Sequence, residues 1–357
     1  MATVFEFGLD TFGDVTRGQD GRLRSHADVL RDVVAEAALA DELGVDVFGV
    51  GEHHRPDFAI SAPEVVLAAI AARTSRIRLG SAVTVLSSDD PIRVYQRFAT
   101  VDAISNGRAE VTLGRGSFTE SFPLFGFPLD QYSALFEEKL DLYAAVLRHD
   151  RVGEPISWRG NLRSPLEGQR VFPRTERGGL TTRIGVGGSP ESVVRAARYQ
   201  MPLALAIIGG GPQRFVPYVD LYRRALAQFG APELPIGVHS PGYVADSDEQ
   251  ARREFWQPYR EMRDRIGAER GWPPSTAAEF EREIESGSLY VGSPDTVAGK
   301  IAATAETLGL SRFDLKYSAG TLAHGLMLRS IELYAREVAP RVRARLVAAS
   351  HSPVAPR

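Results

Sequence analysis

The stretch Val45-Asp46-Val47-Phe48-Gly49-Val50-Gly51-Glu52-His53-His54-Arg55-Pro56 decides the fold. Its first half alternates β-branched residues in an apolar run, the pattern of a strand buried on both faces. Its second half puts Glu52, His53 and His54 where that strand ends. An amphipathic helix comes before it. Ser25 is positioned as its N-cap, Val29, Leu30, Val33, Val34, Ala37 and Leu43 make its stripe, and Gly44 ends it. Parallel α/β proteins bind ligands at the carboxyl ends of their strands, so chemistry is expected beside His53.

Outward from this stretch the same rhythm repeats. Strands are predicted near residues 4–9, 45–51, 77–86, 109–113, 183–186, 203–208, 236–245 and 313–318, each followed by a helix. Two Gly/Pro-rich insertions interrupt it, at about 150–182 and 271–288. Consecutive strands show no hairpin signal, which marks a parallel sheet. Eight units fit a closed (β/α)8 TIM barrel, with insertions after strands four and seven, better than an open doubly wound sheet. Residues 1–346 form one domain on this reading, and 347–357 a disordered tail. The first strand is not followed by the Gly-x-Gly-x-x-Gly of a dinucleotide fold.

The bulk numbers exclude several functions. Of 357 residues, 43% are hydrophobic and 24% charged, with a formal charge of -3, so no basic stripe invites nucleic acid. No apolar run approaches the roughly 20 residues of a membrane span. The amino terminus lacks a signal-peptide pattern, which predicts a cytoplasmic protein. With no cysteine there is no disulfide, thiolate metal site or cysteine nucleophile.

Five places carry candidate chemistry. Side chains alternate along a strand, so His53 and His54 should part, one facing the mouth and the other packing outward or into the next loop. An imidazole at a strand end suits proton transfer, or it is a structural residue pinned by Glu52. Gly187-Gly188-Ser189-Pro190-Glu191-Ser192 joins a strand to a helix whose free amides and dipole make an anion site, unless it is a helix cap alone. Arg115, between Gly114 and Gly116 and followed by Ser117, could grip a phosphate or be a surface turn. Gly80-Ser81-Ala82-Val83 suggests close approach of something flat, or tight helix packing. Gly209-Gly210-Gly211-Pro212 and His239-Ser240 read as turn chemistry slightly better than as a substrate mouth.

These places, in this order, resemble the bacterial-luciferase-like family of flavin-dependent monooxygenases. The resemblance runs from Val4 to about Arg345. It is carried by Val-Gly-Glu-His-His-Arg, by Arg-Ile-Arg-Leu-Gly-Ser-Ala-Val-Thr-Val-Leu, by Leu-Gly-Arg-Gly-Ser-Phe and by Val-Gly-Gly-Ser-Pro-Glu-Ser. It implies a barrel binding FMN at its mouth. Arg115, Ser189 and Ser192 would hold the phosphate over Gly187 and Gly188. Ala82-Val83 would be a non-proline cis peptide against the isoalloxazine ring. His53 would be the catalytic histidine and Glu52 its acidic neighbour. Gly114 replaces the luciferases' cysteine and Gly188 their glutamate, so light emission is not implied.

The activity implied is a monooxygenase. Reduced FMN from a separate NAD(P)H:flavin reductase would react with O2 through a flavin C4a-(hydro)peroxide and oxidise a small organic substrate. A homodimer packed through helices beside strands two to four is also implied. The alternatives are a deazaflavin-dependent hydride-transfer enzyme and a flavin-binding protein without catalysis. A metal-dependent hydrolase using His53, His54 and His239 is disfavoured, since the first strand has no His-x-His.

Overall fold

Alternation along the strands sorts this chain into an apolar shell and a polar shaft. The computed structural model describes residues 4–18, 20–116 and 118–351, with only the backbone for Ser350 and His351. β1 (Glu6–Thr11), α1 (His26–Glu42), β2 (Val47–Val50), α2 (Pro63–Ala71), β3 (Arg78–Ser81) and β4 (Thr84–Val85) come first. Next are α3 (Pro91–Ser105), β5 (Glu110–Gly114), α4 (Ser121–Phe125), α5 (Tyr132–Val152), β6 (Ile156–Trp158) and β7 (Leu166–Gln169). Then come β8 (Thr181–Val186), α6 (Pro190–Arg198), β9 (Leu203–Ala206), α7 (Val216–Gln228) and β10 (Ile236–Val244). The chain ends with α8 (Asp248–Arg270), α9 (Ala277–Glu285), β11 (Tyr290–Gly292), α10 (Pro294–Leu308), β12 (Arg312–Lys316), α11 (His324–Leu333) and α12 (Ala339–His351).

The strands pair in parallel in the order β3-β2-β1-β12-β10-β9-β8-β5-β4. This is a nearly closed (β/α)8 barrel. It has nine strand pieces because the single strand expected at 77–86 is split. Arg78–Ser81 pairs with β2, while Thr84–Val85 pairs with β5. The change of partner takes up the stagger that closure demands. Where the ladder breaks, Leu79 N–H donates to the Arg108 carbonyl at 2.9 Å. The Ser81 hydroxyl bonds both the carbonyl and the N–H of Thr112 at 3.1 Å.

Both insertions stand where expected. The antiparallel β6–β7 hairpin follows α5, and α9 with β11 follows α8. β11 was not anticipated; it extends the sheet beside the far end of β10. Ser25 and Ser189 cap their helices through the side chain as expected, and Asp90 and Ser293 do the same. α12 continues to His351, beyond the boundary expected at 346, and residues 352–357 lie outside those described.

Outward residues such as Phe7, Leu9, Phe48, Leu79, Val111, Leu113, Ile184, Leu205, Val238 and Phe313 are buried in one hydrophobic cluster with the helices. Inward positions are small or charged. At the lower end Arg312 pairs with Glu110 and Asp314, and Arg78 with Glu6 and Glu110. Burial opposes the charge on Glu110, yet Arg312, Arg183 and Arg78 hold its carboxyl down to about 2. Above this plug glycines make room. A Cβ on Gly8 would strike the Asp314 carboxylate, and one on Gly80 would crowd Glu110. Higher still, Gly185, Ala204, Ala206 and His239 retain partial exposure although their neighbours along the strands are buried. The barrel is therefore plugged by ion pairs below and open toward the carboxyl ends of its strands.

Candidate active site

β2 delivers Glu52, His53 and His54 to the open end, where they separate as alternation predicts. His53 is buried, its Nδ1 3.2 Å from Glu120 Oε1. Three phenyl rings surround it: Phe58 stacks at 4.6 Å, and Phe12 and Phe118 meet it edge-on at 4.8 and 4.9 Å. Burial works against the charge on Glu120, but the His53 ring and the His54 N–H hold its carboxyl below the usual range. A carboxylate on Nδ1 fixes the ring and leaves Nε2 for a further partner.

Glu52 does not pair with His53, its neighbour in the chain. Its Oε1 lies 2.9 Å from His54 Nε2, and its Oε2 accepts from the Val85 N–H at 2.9 Å. The pinned structural histidine is therefore His54. Its pKa is raised first by the Glu52 hydrogen bond, against the opposing effect of burial. Glu52 braces the neighbouring strand, since its N–H also donates to the Val83 carbonyl at 3.3 Å.

The bond between Ala82 and Val83 is a non-proline cis peptide. Both residues keep partial exposure at the floor of the mouth. The Val83 side chain fills the space over Gly114 and Gly185: a Cβ built on Gly114 would lie 2.6 Å from Val83 Cγ2. Val83 thus explains the glycine at 114, where the luciferases carry cysteine.

β5 and β8 are adjacent, so Arg115 and Gly187-Gly188-Ser189 emerge side by side on the same rim. Arg115 lies over the Tyr132 ring at 5.3 Å, and the Tyr132 hydroxyl donates to the Gly116 carbonyl at 2.6 Å. Ser117, which completes that motif, lies outside the described residues. Gly188 has φ +124°, a conformation that favours glycine, and a Cβ on Gly187 would meet no described atom within 4 Å. Ser189 caps α6, accepting from the Ser192 N–H and donating to Glu191 at 2.7 Å. That hydrogen bond is the first cause of the lowered Glu191 pKa, and the charge of Arg115 contributes. Arg115 and the α6 N-terminus therefore face one space. Ser192 stands deeper, its hydroxyl between Arg195 and Ser189, and Arg195 is neutralised by Glu137. The donors present (helix amides, a hydroxyl and an accessible guanidinium) suit a phosphate.

Several residues at the mouth escaped sequence reasoning. Glu120 is 67 residues from His53 in a segment without periodicity. Phe12 follows β1 and Phe58 lies between β2 and α2, where neither residue forms part of a sequence motif. Arg55 binds Glu269 through two bonds of 2.6 Å and lies over Phe118, tying the end of α8 to the His53 loop. His239, read as turn chemistry, sits within β10 opposite Ala206 and Asp314, its Nδ1 2.7 Å from Asp10. His53, His54 and His239 thus bond three different carboxylates. Among the described residues no three His, Asp or Glu side chains converge as metal ligands.

With this geometry in place, comparison with known proteins assigns the lineage. Residues 11–312 match the luciferase-like monooxygenases. This chain belongs to the luciferase-like monooxygenase family. It is 30% identical over 326 residues to 4-hydroxyprotoasukamycin monooxygenase of Streptomyces nodosus subsp. asukaensis, covering 85% of each chain. The protein y4vJ of Sinorhizobium fredii is 34% identical over 135 residues, 38% of each chain. Among solved structures, monooxygenase RslO1 from Streptomyces bottropensis superposes with TM-score 0.81 at 24% identity, covering 94% of this chain and 99% of that one. The oxygenating constituent of 3,6-diketocamphane monooxygenase from Pseudomonas putida, in complex with FMN, gives 0.74 at 20%, covering 95% and 99%. The coenzyme F420 dependent tetrahydromethanopterin reductase from Methanopyrus kandleri gives 0.71 at 18%, also covering 95% and 99%. At these identities the superpositions speak for the barrel alone. No helix among the described residues is long and apolar enough to cross a membrane.

Proposed function

We propose that this luciferase-like enzyme is an FMN-dependent monooxygenase acting on a small organic substrate. The observation that carries the reading is the shared space between Arg115 and the α6 N-terminus, on the same rim as His53. Arg115, Ser189 and the amides above Gly187 and Gly188 take the phosphate, and Ser192 braces the cap. Ala82 and Val83 lie against the ring. Bound in its reduced form, FMN supplies activation of O2 at its C4a carbon. His53, oriented by Glu120, holds or delivers a proton through Nε2 at the reacting centre. Phe12, Phe58 and Phe118 exclude water there and favour an apolar substrate. Glu52 acts through the backbone of Val83 and Val85.

The reading includes a separate NAD(P)H:flavin reductase as the source of reduced FMN, and a cytoplasmic setting. It also includes a homodimer. α2 and α3 expose Val65 and Ile104 at 69% and 50%, on the helices expected at that interface. A deazaflavin-dependent hydride transfer is the second reading, because an F420-dependent reductase shares the barrel. Parallel titration of the purified protein with FMN and with the deazaflavin, each oxidised and reduced, tests both. Micromolar binding of reduced FMN, with substrate-dependent O2 uptake, is expected. Binding of the deazaflavin alone would replace the first reading with the second, and binding of neither would end both.

A further inference from the structure

Phe12 touches two imidazoles. His53 meets it edge-on, while His239 lies nearly parallel to it at 6.0 Å with an interplanar angle of 17°. Each imidazole has its own carboxylate, but the two pairs stand in different surroundings. His53 and Glu120 belong to loops walled by phenyl rings. His239 and Asp10 stand inside the barrel, below the rim.

Asp10 is nearly inaccessible, and its second oxygen, Oδ1, is buried without a hydrogen-bond partner among the described residues. His239 is different. Its side chain is 15% exposed, and its Nε2 makes no hydrogen bond to the described residues. The inward positions around it, Gly185, Ala204 and Ala206, also keep partial exposure, so the space above His239 opens to the mouth. Asp10 adjoins Ala82, because a Cβ on Gly49 would lie 3.2 Å from Asp10 Cβ and 3.3 Å from Ala82 Cβ. The Asp10–His239 pair and the Ala82–Val83 peptide therefore share one floor. The charged groups facing His239 are Asp10 from β1 and Asp314 and Lys316 from β12. Burial and Lys316 oppose its charge, but the two carboxylates outweigh them and raise its pKa above the ordinary imidazole value. The result is a charge-assisted N–H donor at the floor, braced from below.

We propose that His239, held by Asp10, is a cofactor-binding residue that donates to the electron-rich pyrimidine edge of the reduced ring, so that the site prefers reduced to oxidised FMN. The inference rests on the FMN reading above. Reduction places negative charge on that edge of a flavin, and protein charge beside it tunes the cofactor. Such a preference suits an enzyme that receives its flavin already reduced. It needs no contact with the phosphate, so the two ends of the cofactor can be tested separately.

The experiment measures affinity for oxidised FMN in air and for dithionite-reduced FMN without oxygen, in the wild type, His239→Gln and Asp10→Asn. For His239→Gln the Kd of reduced FMN should rise about tenfold while that of oxidised FMN stays within about twofold. That difference lowers the two-electron midpoint potential of the bound flavin by about 30 mV. Asp10→Asn should move it the same way by a smaller amount, and it serves as the second variant if His239→Gln melts early. Equal affinities for both redox states across the variants, or equal weakening of both, would overturn the role of His239 and leave the FMN reading standing. A wild type that binds neither form would remove the FMN reading itself.

Discussion

His53 and His54 share a peptide bond and a kind of partner, yet they face different surroundings. His54 points away from the mouth and is held by Glu52, two residues back on the same strand end. His53 points into a box of phenyl rings and is held by Glu120, from the loop after β5. The local pair is an architectural pin that fixes β2 to β4. The long-range pair is the proposed working group, and its orientation depends on two loops meeting. Residue identity alone does not distinguish the two; the side of the strand does.

The sharpest way to break this comparison is to remove each imidazole in turn. His53→Ala should lower turnover by about 10²–10⁴, the span of a general acid or base, with FMN affinity within about twofold of wild type. Flavin titration and steady-state kinetics on one preparation check this. A His53→Ala enzyme that turns over normally would sink the catalytic assignment. His54→Ala should retain activity at low temperature while losing stability.

Affinity is expected to depend on another residue. Arg115→Ala should raise the Kd of FMN about 10–100-fold, the loss of one charge-assisted contact of about 1.5–3 kcal/mol. Turnover at saturating FMN should be little changed, and equilibrium dialysis measures the difference. Glu120→Gln comes next. Turnover should fall about tenfold with FMN affinity unchanged, and Glu120→Asp should recover part of it, because Glu120 acts through the orientation of His53.

The smallest effect sharpens the structural half of the comparison. Folded His54 titrates above the ordinary imidazole value of 6.5, so its pair with Glu52 stabilises the fold fully below that pH. The contribution disappears as pH rises through the folded value. The wild-type Tm should therefore decline across this window more steeply than that of His54→Gln, with His239 and His324, also raised, supplying the shared remainder. Thermal melts at half-unit pH intervals read the difference, and parallel slopes would show that the pin is not charge-assisted.

Local sequence determined much of this protein. Alternation at 45–51, the helix starts at Ser25 and Ser189-Pro190 and the spacing of eight strand–helix units sufficed for the barrel, since each depends on neighbours within a few residues. The adjacency of the candidate anion-site residues was legible for the same reason: a glycine pair before a capped helix carries its own geometry, and the order of the units makes β5 and β8 adjacent. Tertiary structure decided the rest. It split the strand at 77–86 between two partners, because closing the cylinder staggers the register. It gave Glu120 to His53, and it turned His239, within the strand expected at 236–245, into the shaft beside Asp10. Those pairings join residues as many as 229 positions apart. They follow from which side chains turn inward at one height of the barrel, a property of the closed sheet that short-range pattern does not contain.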